Sequence, residues 1–162
     1  MTMQWQWLGF EQMSGAELYQ TLALRQEVFI LEQRCFYRDL DGHDLAAWHL
    51  LGWRTVDGQR RLSAYLRCLA PGVKFAEMSL GRVVTALDAR GSGIGRELLE
   101  QGIAGARRRF PDGAIRIAAQ QYLEQFYRAL GFETVCAPYD EDGIAHVDML
   151  RPASGPPMPS KR

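Results

Sequence analysis

A glycine-rich turn, Arg90-Gly91-Ser92-Gly93-Ile94-Gly95-Arg96, stands between a Val-rich segment and a helical pattern. Glycines let a backbone approach a bulky ligand without Cβ clashes. A helix that begins at such a turn offers unpaired N–H groups and a partial positive charge, which together bind phosphate. Arg90 and Arg96 add positive charge. The turn therefore predicts a phosphate site; a flexible strand-to-helix connection without a ligand is the alternative.

Two other kinds of phosphate-binding turn fit these residues poorly. A dinucleotide-binding fingerprint needs Gly where Arg96 stands, and it sits in a βαβ unit, whereas a hairpin pattern comes before this turn. A nucleoside-triphosphate loop needs Gly-Lys followed by Ser or Thr, and that sequence does not follow.

The pattern Arg90-x-x-Gly93-x-Gly95 after a Val-rich strand resembles the pyrophosphate-binding motif of the GCN5-related N-acetyltransferase (GNAT) superfamily. The resemblance implies that the backbone amides of the turn hold the pyrophosphate of acyl-CoA. It also implies that the preceding strand aligns the pantetheine arm by strand-like hydrogen bonds. The implied cofactor-binding residues are Val83, Val84, Thr85, Arg90, Gly91, Ser92, Gly93, Ile94, Gly95 and Arg96.

A second motif, Gln120-x-x-Leu123-x-x-Phe126-Tyr127-x-x-x-Gly131-Phe132, resembles a later strand–helix segment of the same superfamily. An Asn that contacts the cofactor often occupies the position of Gln120, and Gln makes similar amide hydrogen bonds with a longer reach. Tyr127 matches the tyrosine that commonly faces the thiol of CoA. A phenol there can protonate a departing thiolate, whose pKa is about 8.5 by analogy with cysteine. Tyr127 is the predicted general acid; a core aromatic beside Phe126 is the alternative.

Segments near both ends resemble the ElaA-like subfamily; they run over residues 24–29, 32–33, 37–44 and 139–146. The resemblance covers about residues 4–151 and implies the GNAT acyl-CoA N-acyltransferase fold. That fold is of the α/β (α+β) class, a mixed, mostly antiparallel sheet flanked by helices and splayed near its middle to admit the cofactor. It implies acetyl-CoA as co-substrate, no metal, and direct transfer of an acetyl group to a primary amine in a ternary complex. The acceptor is a small molecule or a protein amine, and a non-catalytic acyl-CoA-binding or sensing module is the alternative function.

Acyl transfer also needs a neutral amine as the nucleophile and a hydrogen-bond donor to the carbonyl oxygen of the thioester. A lysine-like amine, with a pKa of about 10.4, must first lose a proton. Candidate bases are His49, Glu32, Glu77 and His146, but a water chain or prior deprotonation of the amine would need none of them. The backbone N–H groups around Val84 are the natural donors to the oxygen.

An acidic loop contains Asp39, Asp41, His43 and Asp44. It could dock a cationic amine; turn chemistry with a solvated surface is the alternative. A metal site is not favoured, because no second ligand cluster has matching spacing. Arg25 lies on the apolar face of the first helix, so it either pairs with Asp39 or Asp41 or faces solvent. The predicted substrate residues are Glu32, Asp41, His49 and His146.

The pattern of apolar residues and turn signals predicts the elements that position these groups. Strands are predicted at 4–7, 48–56, 62–69, 78–85 and 114–119, helices at 16–31, 94–109 and 122–130, and a closing antiparallel pair at 132–136 and 144–150 joined by a connection at 140–143. This order favours a mixed sheet over a doubly wound parallel one. One domain is expected over residues 1–152, followed by a disordered tail over 153–162.

Composition limits the kinds of binding partner and the cellular compartment that the sequence favours. The 162 residues carry a formal net charge of zero, so no global field recruits nucleic acid or a membrane surface. Cys35, Cys68 and Cys136 form no CxxC pair, and neither a secretory signal nor an apolar run of membrane-spanning length is present. These observations predict a cytoplasmic protein, and they leave a homodimer open.

Overall fold

A computed structural model describes residues 2–153, so most of the predicted disordered tail lies outside the described residues. One eight-stranded sheet runs through this part of the chain in the order β1-β2-β3-β4-β5-β8-β6, with β7 also paired to β8. The strands are β1 (Gln4–Gly9), β2 (Trp48–Val56), β3 (Gln59–Leu69), β4 (Met78–Thr85), β5 (Ile115–Gln120), β6 (Glu133–Thr134), β7 (Tyr139–Glu141) and β8 (Ile144–Arg151). Every pairing is antiparallel except that of β4 with β5. The expected mixed, mostly antiparallel sheet is thereby confirmed.

The end of the sheet differs from the sequence prediction. Residues 139–141 form β7, although 140–143 had been predicted as a connection, and β6 has only two residues. Asp142 and Gly143 have φ values of 53° and 82°, which suit a tight hairpin turn. The predicted connection is therefore itself a hairpin, and its short strand lacks the apolar alternation that would have identified it.

The helices are α1 (Gly15–Arg25), α2 (Ile94–Arg109) and α3 (Glu124–Arg128), and a π-helical segment (Gln26–Glu32) continues α1. The predicted capping box at the start of α1 is confirmed: the backbone N–H of Ser14 donates to Glu17 at 2.8 Å, and that of Glu17 donates to the Ser14 hydroxyl at 3.1 Å. The predicted helix over 16–31 has nearly the right length, but its wide final turns were missed. Residue types give no signal for the change in winding, and such turns are frequent at functional sites.

Apolar side chains cover both faces of the sheet. One cluster joins the sheet to α2 and α3 and includes Leu66, Leu98 and Ile103. The other lies against the π-helical segment and includes Val28 and Trp53. The sheet is thus buried on both sides, and its strands can present side chains to a cleft between the layers.

The sheet opens at the one parallel pairing found within residues 2–153. β4 and β5 pair through Met78 with Ile115 and Ser79 with Arg116, and then the two strands separate. Beyond that point, the register between β3 and β4 shifts, and Arg82 has a φ of 51° inside the strand. A bulge at this place bends β4 away and leaves its backbone locally outside the ladder. The separation is the expected splay near the middle of the sheet.

Candidate functional site

A cavity of about 650 Å³ fills the opening between β4 and β5. Of the residues predicted to bind the cofactor or act as the acid, seven line it: Val83, Val84, Thr85, Arg90, Gly95, Gln120 and Tyr127. The other members of the turn, Gly91, Ser92, Gly93, Ile94 and Arg96, continue from Arg90 into α2, with Ile94 buried in the core. Of the predicted substrate residues, Glu32, Asp41 and His146 line the same cavity, but His49 does not. The opening therefore brings the two predicted halves of a transferase site together.

The glycine-rich turn has the geometry of an open cradle. Gly91 and Gly93 have φ values of 80° and 83°, a conformation that residues with a Cβ rarely adopt. Gly93 is the N-cap of α2, and the Ser92 hydroxyl donates to the Ala89 carbonyl at 2.7 Å. A Cβ built on Gly91, Gly93 or Gly95 would meet no other atom within 4 Å. The space above the turn is thus open, so these glycines do not serve internal packing.

Gly95 gives a test that separates packing from ligand binding. It lies at the second position of α2, without a positive φ, where alanine should stabilise the folded chain by up to about 1 kcal/mol. A methyl group there would enter the space above the helix N-terminus. We expect Gly95→Ala to keep or raise the free energy of unfolding in urea and to weaken acyl-CoA binding measured by calorimetry.

Gly15 provides the matched control for that experiment. It is the first residue of α1, and its Cβ would also meet nothing within 4 Å, but it lies outside the cavity lining. Gly15→Ala should change stability in a similar way and leave acyl-CoA affinity unaltered. Equal affinities for the wild type and Gly95→Ala would mean that no ligand approaches this helix end.

Arg90 forms an ion pair with Glu32 at the cavity. Its two terminal nitrogens lie 2.5 and 2.8 Å from the two carboxylate oxygens of Glu32, a bidentate arrangement. The hydrogen bond from Arg90 holds the pKa of Glu32 below its ordinary value. The turn thus meets the end of the π-helical segment through two charged side chains.

Tyr127 of α3 lines the cavity and is only 6% exposed. Its ring makes edge contacts with Phe126 and Phe132, with centroids 5.3 and 5.9 Å away. Burial raises its pKa well above the ordinary value, so the phenol stays protonated at neutral pH. No group within residues 2–153 hydrogen-bonds to its hydroxyl, which therefore has a proton available for a ligand.

His146 lies on β8 directly opposite Gln120 of β5. Its Nδ1 is 2.7 Å from the Ile144 carbonyl oxygen, which can only accept, so Nδ1 carries the hydrogen in the neutral ring. Nε2 is then left as an acceptor, with a carboxylate oxygen of Glu141 at 3.4 Å. Nε2 therefore offers a lone pair to a hydrogen-bond donor, beside the carboxylate of Glu141. Glu141 was missed in the sequence because it had been assigned to a connection.

His49 and Glu77 lie away from the cavity lining, so their positions do not support the predicted role as base. His49 Nε2 is 2.9 Å from the Asp44 carbonyl, and Nδ1 is 2.6 Å from the Tyr65 hydroxyl. Burial lowers its pKa, and both ring nitrogens already have partners. Glu77 instead lies 3.8 Å from Arg116.

The carboxylates of the acidic loop form ion pairs with arginines, and Asp39 and Asp44 are only 7% and 8% exposed, so the alternative of a solvated surface is wrong for these two. Asp41 remains exposed. Arg25 is fully buried and reaches Asp39 at 2.9 Å and Asp44 at 2.8 Å. Of the alternatives left open for Arg25, the structure shows pairing with Asp39, whereas Asp41 pairs with Arg67 and Arg82 instead. Sequence spacing could not identify these partners, since Arg67 and Arg82 come from distant strands.

Arg82 connects this network to the bulge in β4. Its Nε donates to Asp39 at 2.7 Å, and its Nη2 donates to the Asp39 carbonyl at 3.0 Å. The acidic loop therefore holds the residue at the bulge of β4 in place. The sequence signal was an arginine inside a Val-rich strand, which had not been singled out.

Within residues 2–153, no group of three or more His, Cys, Asp or Glu side chains could hold a metal ion. In the same part of the chain, no helix is long and apolar enough to span a membrane.

Comparisons with known proteins agree with this geometry. Residues 72–151 match the acetyltransferase (GNAT) domain family. A UPF0039 protein of Synechocystis is 43% identical over 93% of this chain and 96% of its own length. The protein ElaA of Escherichia coli is 36% identical over 91% of this chain and 95% of its own.

Solved structures show the same fold. An acyl-CoA N-acyltransferase from Pseudomonas aeruginosa superposes with a TM-score of 0.86 at 39% identity, covering 93% of this chain and 99% of that one. The crystal structure of Escherichia coli ElaA gives a TM-score of 0.85 at 35% identity, with coverage of 93% and 99%. The expected GNAT acyl-CoA N-acyltransferase fold is confirmed.

Proposed function

Since the chain belongs to the ElaA-like branch of the GNAT acetyltransferase family, we propose that it transfers an acetyl group from acetyl-CoA to a primary amine. One observation carries this proposal: a single cavity joins an open glycine turn at a helix N-terminus to a buried tyrosine hydroxyl that has no hydrogen-bond partner within residues 2–153. A site for phosphate and a proton donor are what a thioester of CoA requires.

The residues of the turn fit the pyrophosphate. Gly91, Gly93 and Gly95 leave the space above the first turn of α2 free, and the N–H groups there point out of the helix end. Arg90 adds a guanidinium that lines the cavity. Beyond the turn, Val83, Val84 and Thr85 present an unpaired strand edge, because β4 has already left β5. When bound, acetyl-CoA would supply the activated acyl group.

Other side chains that line the cavity then carry out the proton transfers. His146 Nε2 takes a proton from the acceptor amine, and Glu141 stabilises the resulting imidazolium. The amine nitrogen forms the new C–N bond as the C–S bond breaks, and backbone N–H groups at the bulge near Val84 stabilise the charge on the carbonyl oxygen. Tyr127 donates its phenolic proton to the departing thiolate and is reprotonated from solvent.

The alternative function, an acyl-CoA-binding or sensing module without turnover, uses the same turn. The free hydroxyl of Tyr127 and the His146–Glu141 pair favour the enzyme, because a sensor needs neither proton donor nor acceptor. Free cysteines at positions 35, 68 and 136 suit the reducing cytoplasm that we propose as its location.

Titration of acetyl-CoA by calorimetry tests the cofactor site. We expect the double variant Arg90→Ala, Gly93→Asp to bind at least about tenfold more weakly than the wild type, since it loses a charge pair with phosphate and places a carboxylate in the cradle. The matched control is Arg128→Ala, Gly58→Asp: Arg128 is an exposed helix residue, and Gly58 has a φ of 73° with open space around it. A well-folded wild type that binds no acyl-CoA would exclude the proposed reaction, and turnover with an amine panel would exclude the sensor.

A further inference from the structure

In the ligand-free protein, the carboxylate of Glu32 pairs with the guanidinium of Arg90, the positive charge that would otherwise bind phosphate. Arg90 is the first residue of the turn, and Glu32 is the last residue of the π-helical segment. Both carboxylate oxygens lie within 2.8 Å of the guanidinium, and both side chains line the cavity. Phosphate oxygens bind a guanidinium through the same bidentate edge as a carboxylate. The two anions therefore compete for one partner.

The pair is exposed enough to be exchanged. The side chain of Arg90 is 36% exposed and that of Glu32 is 40% exposed, so water screens their attraction. A pyrophosphate carries more negative charge, and it also gains the N–H groups of the helix end. The dianion thus replaces the carboxylate, and Glu32 loses its partner.

Chain contacts bring the end of the π-helical segment close to the proposed base. Gln33, the residue after Glu32, accepts a hydrogen bond from Gln120 at 3.3 Å, and Gln120 pairs in register with His146. Glu32 lines the same cavity as His146, so a carboxylate released from Arg90 stays within the space that also receives the acceptor amine under the proposed function. Glu141 is a further carboxylate at this place.

The other charges of the cavity offset these carboxylates only in part. Arg67 and Arg82 are held by Asp41, and Arg82 also by Asp39. Lys74 keeps its charge over the ring of Phe75, but it is a single cation against the three lining carboxylates of Glu32, Glu141 and Asp142. Once the pyrophosphate holds Arg90, the acceptor end carries an excess of negative charge. An acceptor with one amine to be acylated and a second, cationic group would balance this excess of negative charge.

Resting on the function proposed above, we propose that Glu32 is a displaceable anion. It occupies Arg90 in the ligand-free protein, acyl-CoA releases it, and the freed carboxylate then binds the second ammonium group of an aliphatic diamine. The acceptor is thereby favoured only after acyl-CoA has bound, and monoamines are bound less well.

The first experiment measures acyl-CoA alone. We expect Glu32→Gln to lower the dissociation constant of acetyl-CoA by about two- to fivefold, the range for a pair that is more than a third exposed. The matched control is Glu27→Gln, an exposed carboxylate of the same segment outside the cavity lining, which should not change it. Unchanged or weaker binding in Glu32→Gln overturns the proposal. Failure of all three proteins to bind would instead refute the proposed function.

The second experiment measures the acceptor without turnover. We titrate 1,5-diaminopentane and pentylamine into the wild type, alone and saturated with CoA. The diamine should bind the CoA complex about two- to fivefold more tightly than pentylamine does, and more tightly than it binds the free protein. Glu32→Gln should abolish both differences, and Glu27→Gln should retain them. Equal binding of the two amines to the wild-type complex, or a preference that survives in Glu32→Gln, overturns the assignment of the diamine.

Discussion

Replacement of Tyr127 by Phe should lower kcat about 100-fold while the affinity for acetyl-CoA stays within about twofold of the wild type. General acid catalysis contributes about 10² to 10⁴ in rate, and the phenylalanine ring keeps the edge contacts with Phe126 and Phe132. The thiolate would then take its proton from water. The measurement is initial-rate thiol release with an amine that the wild type acetylates, together with calorimetry of acetyl-CoA.

Two features of Tyr127 distinguish this loss from damage to the fold. No group within residues 2–153 hydrogen-bonds to its hydroxyl, so removing that atom should leave the free energy of unfolding unchanged or higher. Tyr19→Phe is the matched control, because Tyr19 is 76% exposed on α1 and lies outside the cavity lining. If Tyr127→Phe turned over at the wild-type rate, Tyr127 would be a packing residue and solvent would protonate the thiolate.

Arg25→Met should lower the free energy of unfolding by about 3 kcal/mol at neutral pH. Arg25 is fully buried and donates to both Asp39 and Asp44, so its removal strips donors from two carboxylates that have little access to water. Arg67 and Arg82 still hold these carboxylates, which keeps the expected loss at the lower end of the range for a broken buried pair. Urea denaturation measures the effect.

The exposed pair of Arg128 and Glu124 supplies the control for this measurement. Arg128→Met should cost less than about 0.5 kcal/mol, because the side chain of Arg128 is 49% exposed and the pair spans one helical turn. A similar loss in the two variants would contradict a structural role for the buried network.

The pH dependence of the same variants has a definite sign. Burial pushes the pKa of Asp44 upward, but the hydrogen bond from Arg25 and the charges of Arg25 and Arg67 hold it below its ordinary value. A carboxyl with a depressed folded-state pKa stabilises the protein above its unfolded pKa of about 3.9 and loses that contribution as the pH falls. The difference between the wild type and Arg25→Met should therefore shrink below about pH 4.

Local signals explain what the sequence predicted well. The boundaries of α2, Ile94 and Arg109, follow from the glycines before it and Pro111 after it. The boundaries of β4 follow from its Val-rich run. The glycine turn was identifiable because its chemistry is carried by consecutive residues. These features depend on neighbours in the chain.

The features that the sequence did not predict depend on distant partners. The conformation of the acidic loop depends on ion pairs with Arg67 and Arg82, which lie on β3 and β4. The π-helical winding before Glu32 and the bulge at Arg82 change backbone geometry without changing residue type. The His146–Glu141 pair needs the hairpin of β7 and β8, whose charged residues do not alternate with apolar ones.

The short pairing between β4 and β5 also bears on how the chain folds. Strands β2, β3 and β4 pair in chain order through short connections, so this part of the sheet can form from local hairpins. Joining it to β5 requires a crossover that includes α2, and within residues 2–153 the strand contact is made by Met78 and Ser79 of β4. Non-local parallel contacts of this kind form slowly, because loop closure opposes them. We therefore expect the cleft to be completed late in folding, after both halves of the sheet exist.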